Sequence, residues 1–184
     1  MAAQEDDPAL ERIYDSLDSG DYEKALDEIA AAIDALPEGE EDPVLRLLAG
    51  IALLELDEPG EAAEQLARAV ELDPDDAEIR ANLAIALFRS CRFAEAAREA
   101  ARASKDDPSS PDALHARALA LEREGRLEEA DALLARASEL DPERFPAPIH
   151  LSRDAFDREI GLAEGSLPED FRRHLGEVPI LVED

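Results

Sequence analysis

EAAEQLARAVELDP (residues 61–74), EAAREAARASKDDP (95–108) and EADALLARASELDP (129–142) each begin 34 residues after the one before. Set one above another, Ala62, Ala96 and Ala130 coincide, as do Ala69, Ala103 and Ala137. Alanine matches arise easily by chance in an Ala-rich chain. The Asp-Pro pairs ending at Pro74, Pro108 and Pro142, and the leading Glu61, Glu95 and Glu129, do not. Upstream, Gly50, Ala84 and Ala118 fall in step, and so do Leu53, Leu87 and Leu121. A fixed period of this length is the mark of a stacked-repeat architecture and is read before anything else.

Working outward, an earlier copy is GDYEKALDEIAAAIDALP (20–37), whose Ala25, Ala32 and Pro37 precede their counterparts by 37 residues. The three additional residues fall in the acidic linker LPEGEEDP (36–43), a place that tolerates insertion. Each copy reads as two helices. Asp76 is placed to N-cap a helix through Ile79, Leu83, Leu87 and Phe88, the turn RSCRF (89–93) follows, and a second helix stops at Asp-Asp-Pro. The next copy opens with Ser110 as N-cap, Pro111 at the first helical position and Asp112 near the positive end of the helix dipole. Positions 84, 96 and 103 are expected where helices cross closely.

Composition agrees. Hydrophobic residues make up 45% of the 184 but aromatics only 4%, with no Trp, so the core is built from Ala and Leu, which suits closely approaching helices. The formal net charge of -28 repels phosphate backbones, and no basic stripe exists, so neither nucleic acid nor an anionic membrane surface is an expected partner. The opening MAAQEDDPAL has neither the basic nor the apolar region of a signal peptide, and no apolar run spans a bilayer. With Cys91 as the single cysteine, the expectation is a soluble, cytoplasmic protein without an internal disulfide.

The pattern resembles the tetratricopeptide repeat family over about residues 6–142, with approximate repeats at 6–39, 43–76, 77–110 and 111–144. The family's turn aromatic is matched by Tyr22 and Phe93, replaced by Leu127 and lost at Pro59; its early large aromatic gives way to Arg46, Arg80 and Leu114. Leu10, Ile13, Tyr14 and Leu17 of the first copy fit only with a one-residue slip. The fold class implied is all-α: a right-handed α-solenoid of about four helical hairpins. Pentatricopeptide arrays, the nearest confusable class, bind RNA and are typically basic, which the net charge opposes.

In such stacks the first helix of each hairpin lines the concave side. By the resemblance, groove positions here are Leu47, Ile51, Leu54, Asn82, Ile85, Phe88, Arg89, His115, Leu119, Glu122 and Arg123, with Tyr14 and Leu17 beside them. They run from apolar to mixed polar along the array. The function implied is a non-enzymatic scaffold that binds a protein or peptide partner, such as an amphipathic helix or a basic segment. The protein's own C-terminal segment is a rival occupant of part of that surface. The family's carboxylate clamp for chaperone tails is not expected: Leu10, Tyr14, Leu48, Glu78 and Asn82 hold its places, and only the Asn fits.

No chemistry is legible. His115, His150 and His174 share no metal-ligand spacing, H-E-x-x-H is absent, and His150 with Asp154 makes at most two ligands. Cys91 has Arg89 and Arg92 nearby but reads foremost as a small turn residue. Asp73, Asp75 and Asp76 resemble the start of a calcium loop that lacks its central Gly and closing Glu. No cofactor is called for, and the expectation is no enzyme.

Residues 145–184 lose the phase. RFPAPIHL (144–151) reads as a connector and LSRDAFDREIGLAEG (151–165) as an amphipathic capping helix with Phe156, Ile160 and Ala163 on one face. Ser166 and Glu169 have capping-box spacing for a short helix over 169–175. GEVPILVED (176–184) then reads as a lone strand. The stretch 156–184 resembles the opening of a zincin-like minimal metallopeptidase domain, stopping before the zinc motif, so no catalytic residue carries over. A second reading follows: the partner-recruiting arm of such a peptidase.

Overall fold

The structure, a computed structural model, describes residues 7–147 and 152–171. It falls into two compact units, Met1–Ala147 and Pro148–Asp184. Among the described residues the first carries eight helices in hairpin pairs: α1 (Pro8–Asp18) with α2 (Tyr22–Asp34), α3 (Pro43–Glu55) with α4 (Pro59–Leu72), α5 (Ala77–Arg89) with α6 (Phe93–Asp106), and α7 (Pro111–Arg123) with α8 (Leu127–Leu140). The second holds α9 (Arg153–Ser166). Among the described residues there is no strand, and no helix is long and apolar enough to cross a membrane.

Side-chain caps set where the first helices begin. Asp42 accepts from the amides of Val44 (2.7 Å) and Leu45 (3.3 Å), Asp76 from Glu78 (2.8 Å) and Ile79 (3.1 Å), and Ser110 from Ala113 (3.2 Å). Pro43 and Pro111 occupy first-turn positions whose N–H would have had no intrahelical partner. Asp7 caps α1 through Ala9 at 2.8 Å.

The turn inside each hairpin repeats one backbone motif. Gly20, Asp57, Cys91 and Gly125 have φ of 76°, 61°, 62° and 77°. The following amides of Asp21, Glu58, Arg92 and Arg126 each donate to the carbonyl five residues back, at 2.9, 2.9, 2.8 and 2.9 Å. This is the Schellman close, which needs one left-handed residue. The second helices have no side-chain cap. In two of them the preceding arginine forks onto the in-phase glutamate instead, Arg92 on Glu95 (2.8 Å twice) and Arg126 on Glu129 (2.7 Å twice).

The recurring alanines are buried: Ala62 0%, Ala96 2% and Ala130 0% exposed, with Ala69, Ala103 and Ala137 all at 0%. Ala84, Ala100, Ala116 and Ala120 form one contiguous cluster, and Ala81, Ala103 and Ala113 another. Alanine-on-alanine contacts of this kind let helix axes approach closely. At Gly50 even the methyl group is missing: one there would lie 2.4 Å from Cγ of the fully buried Leu66. The first hairpin needs no slip. Gly20 precedes Asp57 by the same 37 residues that separate Ala25 from Ala62. What obscured the phase is Ile13 at the small position and Ser16 at the leucine position; Ser16 is buried and donates to Glu28 at 2.8 Å.

In the second unit Ser152 caps α9 through Ala155 (3.2 Å). Ser166 is the last residue of α9 and donates to the Ala163 carbonyl at 2.7 Å, so it does not cap the expected short helix, whose first residues, 169–171, are helical. Phe156 (36%) and Leu162 (68%) are exposed. The expected strand at 178–182, the end of the expected short helix, His150 and His174 lie outside the described residues.

Candidate functional site

α3 packs on α5 and α5 on α7, so successive first helices touch directly, whereas each second helix packs chiefly on the first helices flanking it in sequence. In stacked helical hairpins the layer of first helices lines the concave side. The candidate site is therefore the exposed face of α3, α5 and α7.

The sequence-derived positions divide by depth. Leu47 (8% exposed) and Leu54 (5%) are buried in the core cluster and present almost no surface. Ile51, Ile85 and Phe88 are half-buried, their inner atoms packed on that cluster. Asn82 is half-buried and donates to the Glu78 carbonyl one turn back at 3.0 Å. Leu119 is half-buried, and Glu122 and Arg123 are exposed. Arg89 reaches back 2.9 Å to Asp57, the left-handed residue of the preceding turn. Tyr14 on α1 is 47% exposed and Leu17 half-buried.

Two arrangements join residues that sequence spacing leaves apart. Phe88 meets Phe93 edge-on, ring centres 5.3 Å apart at 70°, and the Arg123 guanidinium lies 4.6 Å over the Phe93 ring. This chain of contacts ties α5, α6 and α7 together. The second is a latch from the segment after α8. Phe145 lies against His115, ring centres 5.2 Å apart, while Arg144 grips Asp112 at 2.6 and 3.2 Å and stands 5.1 Å over its own neighbour's ring. Part of the connector thus covers the fourth copy's end of the face. Only the position of Phe145, where a fifth repeat would have started, hinted at this.

Burial pushes the His115 imidazole pKa down, against the opposing pull of Asp112 and Glu122. Partial burial pushes the Glu78 carboxyl up, reinforced by Asp112 and Asp76 and opposed by Arg144. Among the described residues no three His, Cys, Asp or Glu side chains gather as a metal site. Cys91 is exposed and closes its turn at a φ of 62°.

Family models described as tetratricopeptide repeat match residues 10–77, 53–120 and 111–144. Over this span the chain belongs to the tetratricopeptide repeat family. The array is similar to YrrB, described as a TPR protein with an unusual peptide-binding site: 26% identity, 73% of this chain and 68% of that one, TM-score 0.58. It also shares its fold with the MamA 41-end fragment from Desulfovibrio magneticus RS-1 (21% identity, 73% and 75% covered, TM-score 0.59). A tetratricopeptide repeat protein from Parabacteroides merdae ATCC 43184 is likewise similar (19%, 73% and 53%, TM-score 0.58). No curated protein gives a significant match. The matched models end at residue 144, so the metallopeptidase resemblance of 156–184 gains no support from them.

Proposed function

We propose that this chain is a non-enzymatic scaffold whose repeat array holds a basic, amphipathic segment of another protein along the inner face of α3, α5 and α7. One observation carries the reading: Ile51, Ile85 and Leu119, at matched positions of three successive first helices, are half-buried apolar residues, as is Phe88, while Glu55, Glu78 and Glu122 of the same helices are exposed. An apolar helix face fits the apolar residues, and its lysines and arginines fit the carboxylates. The net charge of -28 adds long-range attraction for such a partner. YrrB, similar over most of the array, carries a peptide-binding site by its own description, which supports the choice of ligand class. Phe145 and Arg144 set the far limit of the binding face by covering His115 and Asp112.

Because Ile51 and Phe88 also pack on the core, changing them would confuse binding with folding. The test therefore reverses exposed charge. Glu55→Lys, Glu78→Lys and Glu122→Lys combined is expected to leave helical circular dichroism unchanged. It should weaken binding of a labelled leucine–lysine amphipathic helix at least roughly ten-fold in fluorescence polarisation, about 1.4 kcal/mol. Equal binding by the triple variant removes the inner face as the site.

A further inference from the structure

On the outer side of the array, equivalent positions of successive repeats carry different plugs. In the second and third copies an arginine of the first helix donates across to the second helix: Arg46 Nη1 to Gln65 Oε1 at 2.7 Å, Arg80 Nη1 to Glu99 Oε2 at 2.9 Å. Arg80 is buried, at 7% exposure for the residue, and also donates to the Pro74 carbonyl. In the fourth copy the same two positions are Leu114 and Leu133.

With both polar partners gone, α6, α7 and α8 border an open depression of about 600 Å³. Leu114 (5% exposed) and Leu121 (3%) are buried lining residues, and half-buried Leu133 lines it from α8. Arg117, Arg126 and Arg136 also line it. Its counterpart between α2, α3 and α4 is smaller, about 360 Å³, and carries Asp34 and Glu61 beside Arg46. Three guanidiniums around one apolar floor stand out in a chain with only 19 basic residues against 47 acidic ones.

Two of the three are engaged only on the surface. Arg126 pairs with Glu124 and with Glu129, which is itself a lining residue, and Arg136 pairs with Glu139 at 3.1 Å. Exposed pairs of this kind contribute little to stability and exchange partners readily. Arg117 makes no ion pair among the described residues, though it helps hold the Glu129 carboxyl below its usual range. Guanidinium forks match carboxylates two bonds at a time and recur at the centres of protein interfaces.

We propose that this outer furrow is a second docking site, for an acidic segment of a partner protein that seats a leucine-sized side chain over Leu114 and Leu121. Its carboxylates then engage Arg117, Arg126 and Arg136. The site is independent of the inner face, and the two take ligands of opposite charge.

The test uses the full chain and a fluorescein-labelled peptide, Glu-Asp-Leu-Leu-Asp-Glu, read by fluorescence polarisation. Saturable binding is expected, weakening as salt is raised. The double variant Leu114→Arg/Leu133→Glu, which copies the Arg80–Glu99 plug, is expected to weaken it roughly ten-fold or more with circular dichroism unchanged. Should that variant fail to fold, Arg117→Glu with Arg136→Glu, the first half-buried and the second exposed, is expected to give the same loss and decides the matter. The inner-face triple variant should bind this peptide as the wild type does. Absence of saturable binding overturns the proposal, and so does equal binding by the folded plug variant or by a peptide with serine in place of both leucines. Dimerisation that the peptide competes away would assign the furrow to a second copy of the chain and overturn the partner proposed here.

Discussion

Cys91 and Asp57 occupy a backbone conformation that glycine adopts at Gly20 and Gly125 in the matching turns. A β-carbon at positive φ crowds the backbone, and Asp tolerates this better than most residues because its side chain bonds locally. Cys91→Gly is therefore expected to raise stability by about 0.5–1 kcal/mol in urea unfolding. Asp57→Gly should gain less, since it also forfeits the Arg89 contact at 2.9 Å. Two titrating groups argue in opposite directions. His115 has its folded pKa depressed below 6.5 by burial, so it contributes stability above that value that is lost as pH falls through the folded one. Glu78 has its folded pKa raised above 4.5, so its contribution is present in acid and lost as pH rises. Glu78→Gln should accordingly raise the Tm at pH 7, with the gap closing towards about pH 4. Thermal melts across pH read both signs, and a constant gap would show that the charge of Glu78 is not the cause.

At the scale of the helix pair, the second and third copies trade volume at the matched crossing, and the fourth does not. Gly50 faces Leu66 in the second copy, whereas the same positions hold Ala84 and Ala100 in the third, and Ala118 and Leu134 in the fourth. Gly50→Ala gains helix propensity of about 1 kcal/mol. Its new methyl, however, meets the Leu66 branch point at 2.4 Å rather than a movable chain end. Overpacking costs typically about 1–3 kcal/mol, so a net loss is expected. Adding Leu66→Ala recreates the third copy's pairing and removes the clash, yet gives up a fully buried leucine. The diagnostic is coupling: in a double-mutant cycle the two changes together should cost less than the sum of each alone. Additive losses would mean that α3 and α4 shift apart freely.

For the array as a whole, the dominant electrostatic fact is a net charge of -28. Local pairs relieve it in places: Arg68 binds Glu41 at 2.5 and 2.9 Å and Glu71 at 2.5 Å, tying α4 to the acidic linker before α3. Most carboxylates still repel one another over distances that salt screens. Raising ionic strength from about 0.01 M to about 1 M shortens the screening length from about 30 Å to about 3 Å. The Tm should rise over that range even as the same screening weakens both proposed docking events. A Tm that falls with salt would put the surface pairs ahead of the general repulsion.

The repeat was legible because its signal is local and recurs: a Pro stop (Asp-Pro in three copies), one cap and two alanines per copy suffice to show hairpins and their order. The left-handed turns were half visible, as Gly20 and Gly125, and hidden where Asp57 and Cys91 adopt the same φ without the residue that advertises it. Arg80 read as a missing aromatic; only packing showed a guanidinium buried against Glu99. Leu47 and Leu54 read as groove because period alone cannot separate a helix face that meets solvent from one that meets the next helix. By itself, then, the chain's order of residues determined the period, the helices and the small-residue crossings, which depend on neighbours a few positions away. Tertiary structure alone decided which faces remain open, that Phe145 covers His115, and that the last outer furrow lacks its plug. Those outcomes depend on residues about 20 to 30 positions apart being brought within a few ångströms.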